Sequence, residues 1–429
     1  MQSLGAYTFI IAASIIVLLS FLFGMVAKKT NIPAVLMLIA LGVGVQYLLE
    51  YAGIENVNFF PILEILGIVG LIMIVLEAAL ELELKKEKAG LIGKSLIVAL
   101  LGLVGSVVSA AAIIYYMVDD MTWWQSMLYA TPLSILSSAI IIPSVGNLAQ
   151  HKKEFHIYES TFSDILGIML FYFIIGVIDS SVPIETGGHG GNPVADFFIS
   201  LGVTIAVAVV ASYVLLSIFQ HIKGGAKLFL LIAMLLLLYS VGKKMHLSPL
   251  IIILVFGLVV SNSKLFFKGF LNKLLHHEKF HEMEHGLHVV TLETAFVVRT
   301  FFFVIFGASI ALSSLLNLDV LFISLALLGS IYAVRWIFLR IFIGKDLSPQ
   351  LWIAPRGLIT VLLFYAIPTE HINSEFQSGI ILFIIIATGL VMTAGMIAAS
   401  RRKAAVKADD IADDFPFDAE PMPQLEEGN

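Results

Sequence analysis

One carboxylate stands inside a strongly apolar stretch of the chain. Asp164 follows Glu159-Ser-Thr-Phe-Ser163 and precedes Ile-Leu-Gly-Ile-Met-Leu-Phe-Tyr-Phe-Ile-Ile. An ionisable side chain within a bilayer-spanning helix costs about 2.5 to 3.5 kcal/mol or more, and such residues mark ion or proton pathways. Burial favours the protonated form of a carboxyl group, whereas a bound cation favours the ionised form. Asp164 can therefore bind a proton or a cation in competition, which makes it the candidate transport residue.

Three serines are the candidate neutral ligands. Ser163 directly precedes Asp164, and Ser137 and Ser138 lie in another apolar stretch, between Pro132 and Pro143. Hard cations prefer oxygen ligands, which hydroxyl groups and backbone carbonyls supply. Serine in a membrane helix also bonds its own backbone or eases helix packing, and the sequence leaves both interpretations open.

The composition indicates a membrane protein. Of the 429 residues 59% are hydrophobic and 13% charged, with a mean hydropathy of +0.98, far too little polar surface for a soluble domain of this length. The absence of cysteine excludes disulfides, thiolate metal sites and cysteine nucleophiles. There is no phosphate-binding loop, zinc-binding helix or nucleophile elbow. We therefore expect neither an enzyme nor an ATP-driven pump, no cofactor, and no nucleic-acid partner.

Apolar runs of about 17 to 25 residues predict about thirteen transmembrane helices in an all-α protein. They cover residues 6–26, 33–49, 61–82, 91–117, 123–147, 157–178, 196–220, 226–242, 247–262, 290–313, 320–343, 349–368 and 376–398. With the N-terminus outside, nearly every loop lysine and arginine falls on the inner side, and the outer loops keep only Lys243 and Lys244. The positive-inside rule therefore predicts an outer N-terminus and an inner C-terminus.

Two of these spans contain helix breakers near their middle. The fifth holds Pro132, the serines and Pro143, and the twelfth holds Pro355, Arg356 and Gly357. Each is the middle member of a three-helix set, and the two sets run in opposite directions, as in transporters with inverted repeats and broken helices. Proline and glycine are also common in membrane helices in general.

Several elements resemble the monovalent cation:proton antiporters that exchange sodium, lithium or potassium for protons. Glu159-Ser-Thr-Phe-Ser-Asp164 is similar to that family's Glu-Ser-Leu-Phe-Asn-Asp signature, and Leu76-Glu77-Ala-Ala-Leu80 to its Phe-Glu-Ala-Gly-Leu element. The stretch from Phe301 to Ile310 resembles Phe-Phe-Phe-Val-x-x-Gly-Leu-x-Ile, and Pro355-Arg356-Gly357-Leu-Ile resembles Leu-Arg-Gly-Ala-Val. These elements stand in the family's order over nearly the whole chain.

The resemblance implies a transmembrane antiporter domain over residues 1–400, with a scaffold that dimerises and a mobile core near residues 91–178 and 320–398. It implies alternating access, with Asp164 binding cation and proton in turn, and an ion pair between Glu159 and Arg335 that leaves Asp164 free to titrate. The alternative for Arg335 is that it snorkels to the inner surface. The expected partners are a monovalent cation, a proton, the lipid bilayer and a second copy of the chain.

The chain departs from the family pattern at two places. Ser137-Ser138-Ala139 stands where many sodium exchangers have Thr-Asp-Pro, closer to the Ser-Ser-Thr-Ala of potassium-efflux relatives, and Ser163 replaces the Asn or Asp before the aspartate. One carboxylate at that position instead of two favours one-for-one, electroneutral exchange of Na⁺ or Li⁺, with K⁺ also open. An organic-anion or other solute symporter of similar architecture, or a channel, is the alternative function.

Other charged residues have weaker interpretations. Arg356 is expected to compensate helix-end dipoles or to pair with an acid such as Glu77, and Arg299 is expected to snorkel. His281 and His285, four residues apart, are candidates for pH sensing, although a solvated amphipathic helix is the simpler interpretation.

The C-terminal residues and the organisation of the chain allow two further expectations. Residues 401–429, rich in Asp, Glu and Pro, read as a disordered acidic cytoplasmic tail. A compact multi-pass chain without a regulatory domain suggests a bacterial inner membrane.

Overall fold

The structure is a computed structural model, and the regular secondary structure of the residues it describes is helical. These are residues 6–30, 32–51, 53, 60–82, 84, 86–181, 193–219, 227–244, 247, 249–267, 277–309, 315 and 317–414. The helices are α1 (Ala6–Thr30), α2 (Ala34–Tyr51), α3 (Phe60–Glu81), α4 (Ala89–Met117), α5 (Trp123–Ser134), α6 (Ser138–Ser144), α7 (Gln150–Ser181), α8 (Pro193–Phe219), α9 (Lys227–Lys244), α10 (Pro249–Ser261), α11 (Ser263–Phe266), α12 (His277–Ser309), α13 (Leu318–Phe342), α14 (Leu358–Tyr365) and α15 (Gly379–Asp414).

Helix is the expected form for such a sequence because a bilayer offers no water to backbone N–H and C=O groups, which must then bond within the segment. Among the described residues, nine helices are long and apolar enough to cross a membrane, and the shorter α10 is also apolar. Each of the predicted spans contains a helix or a helix pair, although the twelfth is helical only in its second half, α14. The prediction of an all-α membrane protein is confirmed. The number of spans and the orientation stay predictions.

Several helix ends differ from the predicted span ends. α7 begins at Gln150 instead of residue 157, and α12 begins at His277 instead of residue 290, so part of the connection between the predicted spans 247–262 and 290–313 is helical. α15 continues past Arg401 to Asp414, so the described part of the predicted tail is helical too, and residues 415–429 lie outside the described residues. Polar residues extend helices beyond the apolar run, which a hydropathy window cannot detect.

The described helices pack into two bundles. In the first bundle, α12 packs against α1, α2 and α3, α3 packs against α10, and α10 packs against α8 and α9. In the second bundle, α4 packs against α5, α7 and α13, α5 against α7 and α14, and α13 against α15. The bundles meet where α7 contacts α3, α8 and α10, where α14 contacts α3, and where α6 contacts α1.

A close helix crossing fixes the first bundle. A Cβ atom added to Gly42 of α2 would collide with the backbone of Val304 in α12, and one added to Gly307 would collide with the backbone of Ile39. Glycine at such crossings lets two helix backbones approach closely, which is a common means of association in membranes. Ser20 and Thr300 add a buried hydroxyl–hydroxyl hydrogen bond of 2.6 Å between α1 and α12.

Candidate cation and proton site

The two broken spans meet inside the second bundle. α5 ends at Ser134 and α6 begins at Ser138, so the break covers residues 135–137. In the other span the backbone from Ile353 to Gly357 is not helical, and α14 starts at Leu358. The backbone N–H of Ser137 donates to the carbonyl oxygen of Pro355 at 3.0 Å, so the two breaks are bonded directly to one another.

Arg356 donates to three carbonyl groups beside the breaks. Its guanidinium is buried and donates to the carbonyl oxygens of Leu133 (2.8 Å), Ser134 (3.2 Å) and Ala354 (2.9 Å). Leu133 and Ser134 form the C-terminal end of α5, where unpaired carbonyls carry negative partial charge. Arg356 thus contacts helix-end carbonyls, and the suggested pairing with Glu77 is wrong.

Asp164 lies on α7 beside the first break. Its side chain is 2% exposed, and neither carboxylate oxygen accepts a hydrogen bond from any residue that the structure describes. The hydroxyl and backbone N–H of Ser138 face the carboxylate, but neither closes a hydrogen bond to it. A buried carboxylate of this kind is stable only with a proton or a cation attached, which is the chemistry expected of a transport residue.

The three candidate serines surround the first break in different ways. The Ser163 hydroxyl oxygen accepts the backbone N–H of Leu136 at 3.0 Å, so it holds the break in place. Ser138 is the first residue of α6 and faces Asp164, and Ser137 bonds Pro355 through its backbone. A hydroxyl oxygen has two lone pairs, so Ser163 keeps one for another partner.

The prolines of the broken spans flank the crossing. Pro132 lies inside α5 and Pro143 inside α6, one on each side of the break at residues 135–137. Proline removes a backbone donor and disfavours a continuous helix. The carbonyl of Pro355 is the acceptor for Ser137 at the second break.

Glu159 and Arg335 lie in contact in the second bundle. Arg335 Nη1 is 2.9 Å from Glu159 Oε1, and Nη2 is 3.2 Å from Oε2, a two-point contact between α13 and α7. The guanidinium also donates twice to the carbonyl oxygen of Gln350, at 3.0 and 3.1 Å. Both side chains are buried, and in such a pair the two charges compensate one another.

A buried histidine that the sequence analysis did not single out completes this group. His156 is fully buried, and its Nδ1 atom lies 3.1 Å from Glu159 Oε2. His156 and Glu159 are three residues apart on α7, so they share a helix face. The three-residue spacing of His156 and Glu159 is visible in the sequence, but it indicates a role for His156 only once Arg335 is known to bind Glu159.

A cavity of about 180 Å³ lies between α3, α6 and α12, and Ser138, which faces Asp164, is part of its lining. Its polar lining consists of Glu77, Glu81, Arg299 and Ser138. Arg299 Nη1 donates to the carbonyl oxygen of Ala139 at 2.9 Å, and Nη2 lies 3.5 Å from both Glu77 oxygens. The prediction that Arg299 snorkels is therefore wrong: it bridges α12 of the first bundle to α6 of the second.

The histidines proposed for pH sensing lie apart from this group in the first bundle. Both belong to the N-terminal part of α12, where His285 is exposed and the His281 side chain lies outside the described part of the structure. The structure thus shows a helix here, and it gives His285 no contact with the site.

Comparison with known proteins decides the family. The model of the family described as sodium/hydrogen exchanger, transmembrane, matches residues 15–399. The chain belongs to this family. Cation/proton antiport is therefore its class of activity, and transporters of this kind are not enzymes. The match also removes the anion symporter and the channel from consideration.

Two solved structures have a similar fold. One is the sodium proton antiporter MjNhaP1 from Methanocaldococcus jannaschii at pH 8, 21% identical, with a TM-score of 0.66 over 93% of this exchanger and 100% of that chain. The other is an electron-microscopy structure of the same antiporter, 18% identical, with a TM-score of 0.63 over 96% of this exchanger and 100% of that chain. A comparison with curated protein sequences finds no match.

Proposed function

We propose that this exchanger moves one monovalent cation, Na⁺ or Li⁺, against one proton, and that Asp164 binds the two in competition. The observation that carries the proposal is the Asp164 carboxylate, which is buried and accepts no hydrogen bond within the described structure. A carboxylate in that position must exchange one positive partner for another, and this exclusion couples the two ions.

Electroneutral exchange follows from the charges at the site. Glu159 is held by Arg335 and His156, and the residue before Asp164 is the neutral Ser163. Asp164 is then the single carboxylate of this group that can change its charge, so each turnover carries one cation one way and one proton the other. The oxygen atoms of Ser138 and Ser163, with backbone carbonyls of the first break, are the proposed neutral ligands.

The second bundle is the proposed moving part, and the cavity lined by Glu77, Glu81 and Arg299 is the proposed entry route for the cation. Two acids and one arginine leave that route with an acidic excess, which attracts cations. We also propose that the protein acts as a homodimer in a bacterial inner membrane.

A vesicle assay tests the proposal. Purified protein is reconstituted into acid-loaded vesicles with a pH-sensitive dye, and NaCl, LiCl, KCl or choline chloride is added outside. We expect dequenching with NaCl and LiCl for the native protein and none for Asp164→Asn. Ser14→Ala, which changes an exposed residue of α1 in the first bundle, serves as a reconstitution control. Silence of the native protein with every cation between pH 6 and 9 would refute the proposal.

A further inference from the structure

We propose that His156 is a positioning residue for Glu159, and that a proton on its Nε2 atom slows exchange at acid pH. The inference rests on the proposed function, since it concerns the rate of the same exchange. It assigns a second proton-binding position to the molecule, separate from Asp164.

The hydrogen bonding of His156 defines its tautomer. Glu159 is in two-point contact with Arg335 and so accepts hydrogen bonds without donating any. The 3.1 Å contact between His156 Nδ1 and Glu159 Oε2 therefore requires the proton to be on Nδ1. In the neutral ring Nε2 then carries a lone pair, and this atom is buried without a hydrogen-bond partner in the described structure.

The charged groups around the His156 ring determine what a second proton on the ring does to its neighbours. Glu159 and Lys152 come from α7 itself, and Arg335 comes from α13. Lys152 is bonded to Asp346 at 2.7 Å and to the Ser348 carbonyl at 2.9 Å. A proton on Nε2 therefore places a second positive charge beside Arg335, and Glu159 is then the one carboxylate in contact with both cations.

The contact network connects that change to the crossing of the broken spans. Arg335 holds the Gln350 carbonyl, and the chain from Gln350 leads within a few residues to Pro355 and Arg356, which are bonded to the first break. Repulsion between an imidazolium and the guanidinium weakens the hold of Arg335 on Glu159 and Gln350. The second break is then held less firmly by Arg335, and the second bundle completes its transport movement more slowly.

A kinetic experiment separates this proton from the one at Asp164. Uptake of ²²Na⁺ against unlabelled Na⁺ is measured in vesicles at equal pH on both faces, from pH 5 to 8.5. Competition at Asp164 raises the KM for Na⁺ on acidification, whereas the His156 proton lowers the maximal rate. The two effects are thus read from different parameters.

Three variants distinguish the effect of the His156 proton from other effects of pH. His156→Asn keeps an N–H donor for Glu159 but does not titrate, His156→Leu removes the donor, and His151→Asn changes an exposed histidine on the same helix. We expect the maximal rate of the native protein and of His151→Asn to fall about fourfold from pH 8.5 to pH 5, and that of His156→Asn to fall less than about twofold. His156→Leu should be slow at every pH, and the pH dependence of KM should be alike in all active proteins.

A profile of maximal rate for His156→Asn that superimposes on the native profile would overturn the inference. Thermal melting in detergent gives a second, activity-independent readout: acidification should lower the melting temperature of the native protein more than that of His156→Asn, because charging a buried imidazole is unfavourable. Equal shifts would also overturn it. Absence of Na⁺ exchange in the native protein would refute the proposed function instead, while the melting comparison still tests the histidine.

Discussion

At the scale of single residues, two carboxylates on α7 have opposite surroundings. Glu159 has Arg335 and His156 within hydrogen-bonding distance, whereas Asp164, five residues later, accepts no hydrogen bond from the described residues. The Glu159 carboxylate thus has fixed protein partners, whereas the Asp164 carboxylate is available to a proton or a cation. This difference, more than either residue alone, makes the site suited to exchange.

Removing Arg335 should destabilise the protein strongly. Arg335→Gln leaves Glu159 buried without its cation, and breaking such a pair costs about 3 to 5 kcal/mol. The double variant Glu159→Gln/Arg335→Gln should recover most of that loss, because no uncompensated charge remains. Thermal unfolding in detergent measures both, and a double variant no more stable than Arg335→Gln would contradict this account.

The sequence predicted some of these residues and missed others for a physical reason. Asp164 could be named because an acid in an apolar helix is costly whatever surrounds it. The role of Arg299 could not be predicted, because its contact with the Ala139 carbonyl depends on which helices cross. His156 lies three residues from Glu159 on the same helix, but that spacing indicates a role only once Glu159 is known to be held by Arg335. Nor did the sequence show that Ser163 accepts a backbone N–H from the first break.

At the scale of elements, the site depends on the close crossing of two interrupted helices. Ser137 bonds Pro355, and Arg356 binds carbonyls on both sides of the crossing. The sequence predicted both interruptions from their prolines and Gly357. It did not predict their direct contact, nor that the second interruption would extend from Ile353 to Gly357.

Gly357→Ala should slow exchange without unfolding the protein. A Cβ atom on Gly357 would lie 2.5 Å from the Ser137 hydroxyl oxygen, 2.9 Å from Ile140 Cδ1 and 3.0 Å from Ser137 Cβ, so Ser137 and Ile140 of the first break must shift. The backbone of Gly357 is extended (φ −158°), so the effect is one of space. We expect a loss of maximal rate of about tenfold or more, measured by ²²Na⁺ uptake.

Gly176→Ala is the matched control for this prediction. Gly176 lies on α7 in the same bundle, and nothing lies within 4 Å of the position that its Cβ would take. The maximal rate of Gly176→Ala should stay near that of the native protein. Equal rates for Gly357→Ala and the native protein would show that the crossing tolerates separation, contrary to this account.

At the scale of the whole molecule, the packing in two bundles suggests how the site is exposed alternately on the two sides. The first bundle is fixed internally by the Gly42–Gly307 crossing, and the second by the contacts of the two breaks. The interface between the bundles includes Gly389 of α15 beside Leu36 of α2. The bundles are therefore expected to move as units against one another.

A cross-link between the bundles should stop exchange reversibly. A Cβ atom on Gly389 would lie 3.3 Å from Leu36 Cγ, close enough for a disulfide between Leu36→Cys and Gly389→Cys. The chain has no other cysteine. Oxidation should reduce ²²Na⁺ uptake by this variant to background, and a reductant should restore it.

A cross-link within one bundle is the control. Ser20 and Thr300 both belong to the first bundle, and their hydroxyl oxygens are 2.6 Å apart. Oxidised Ser20→Cys/Thr300→Cys should keep its exchange activity. Undiminished exchange in a fully oxidised Leu36→Cys/Gly389→Cys protein would exclude movement of the bundles at this interface.

The competition of cation and proton for Asp164 is tested most directly by counting the protons that Na⁺ displaces. Titration calorimetry of the purified protein with NaCl, in two buffers of different ionisation enthalpy, measures this number at a pH where Asp164 is protonated. The account predicts about one proton released per Na⁺ bound, because one carboxylate serves both ions, and no release from Asp164→Asn. Na⁺ binding to the native protein without proton release, or an equal release from Asp164→Asn, would contradict it.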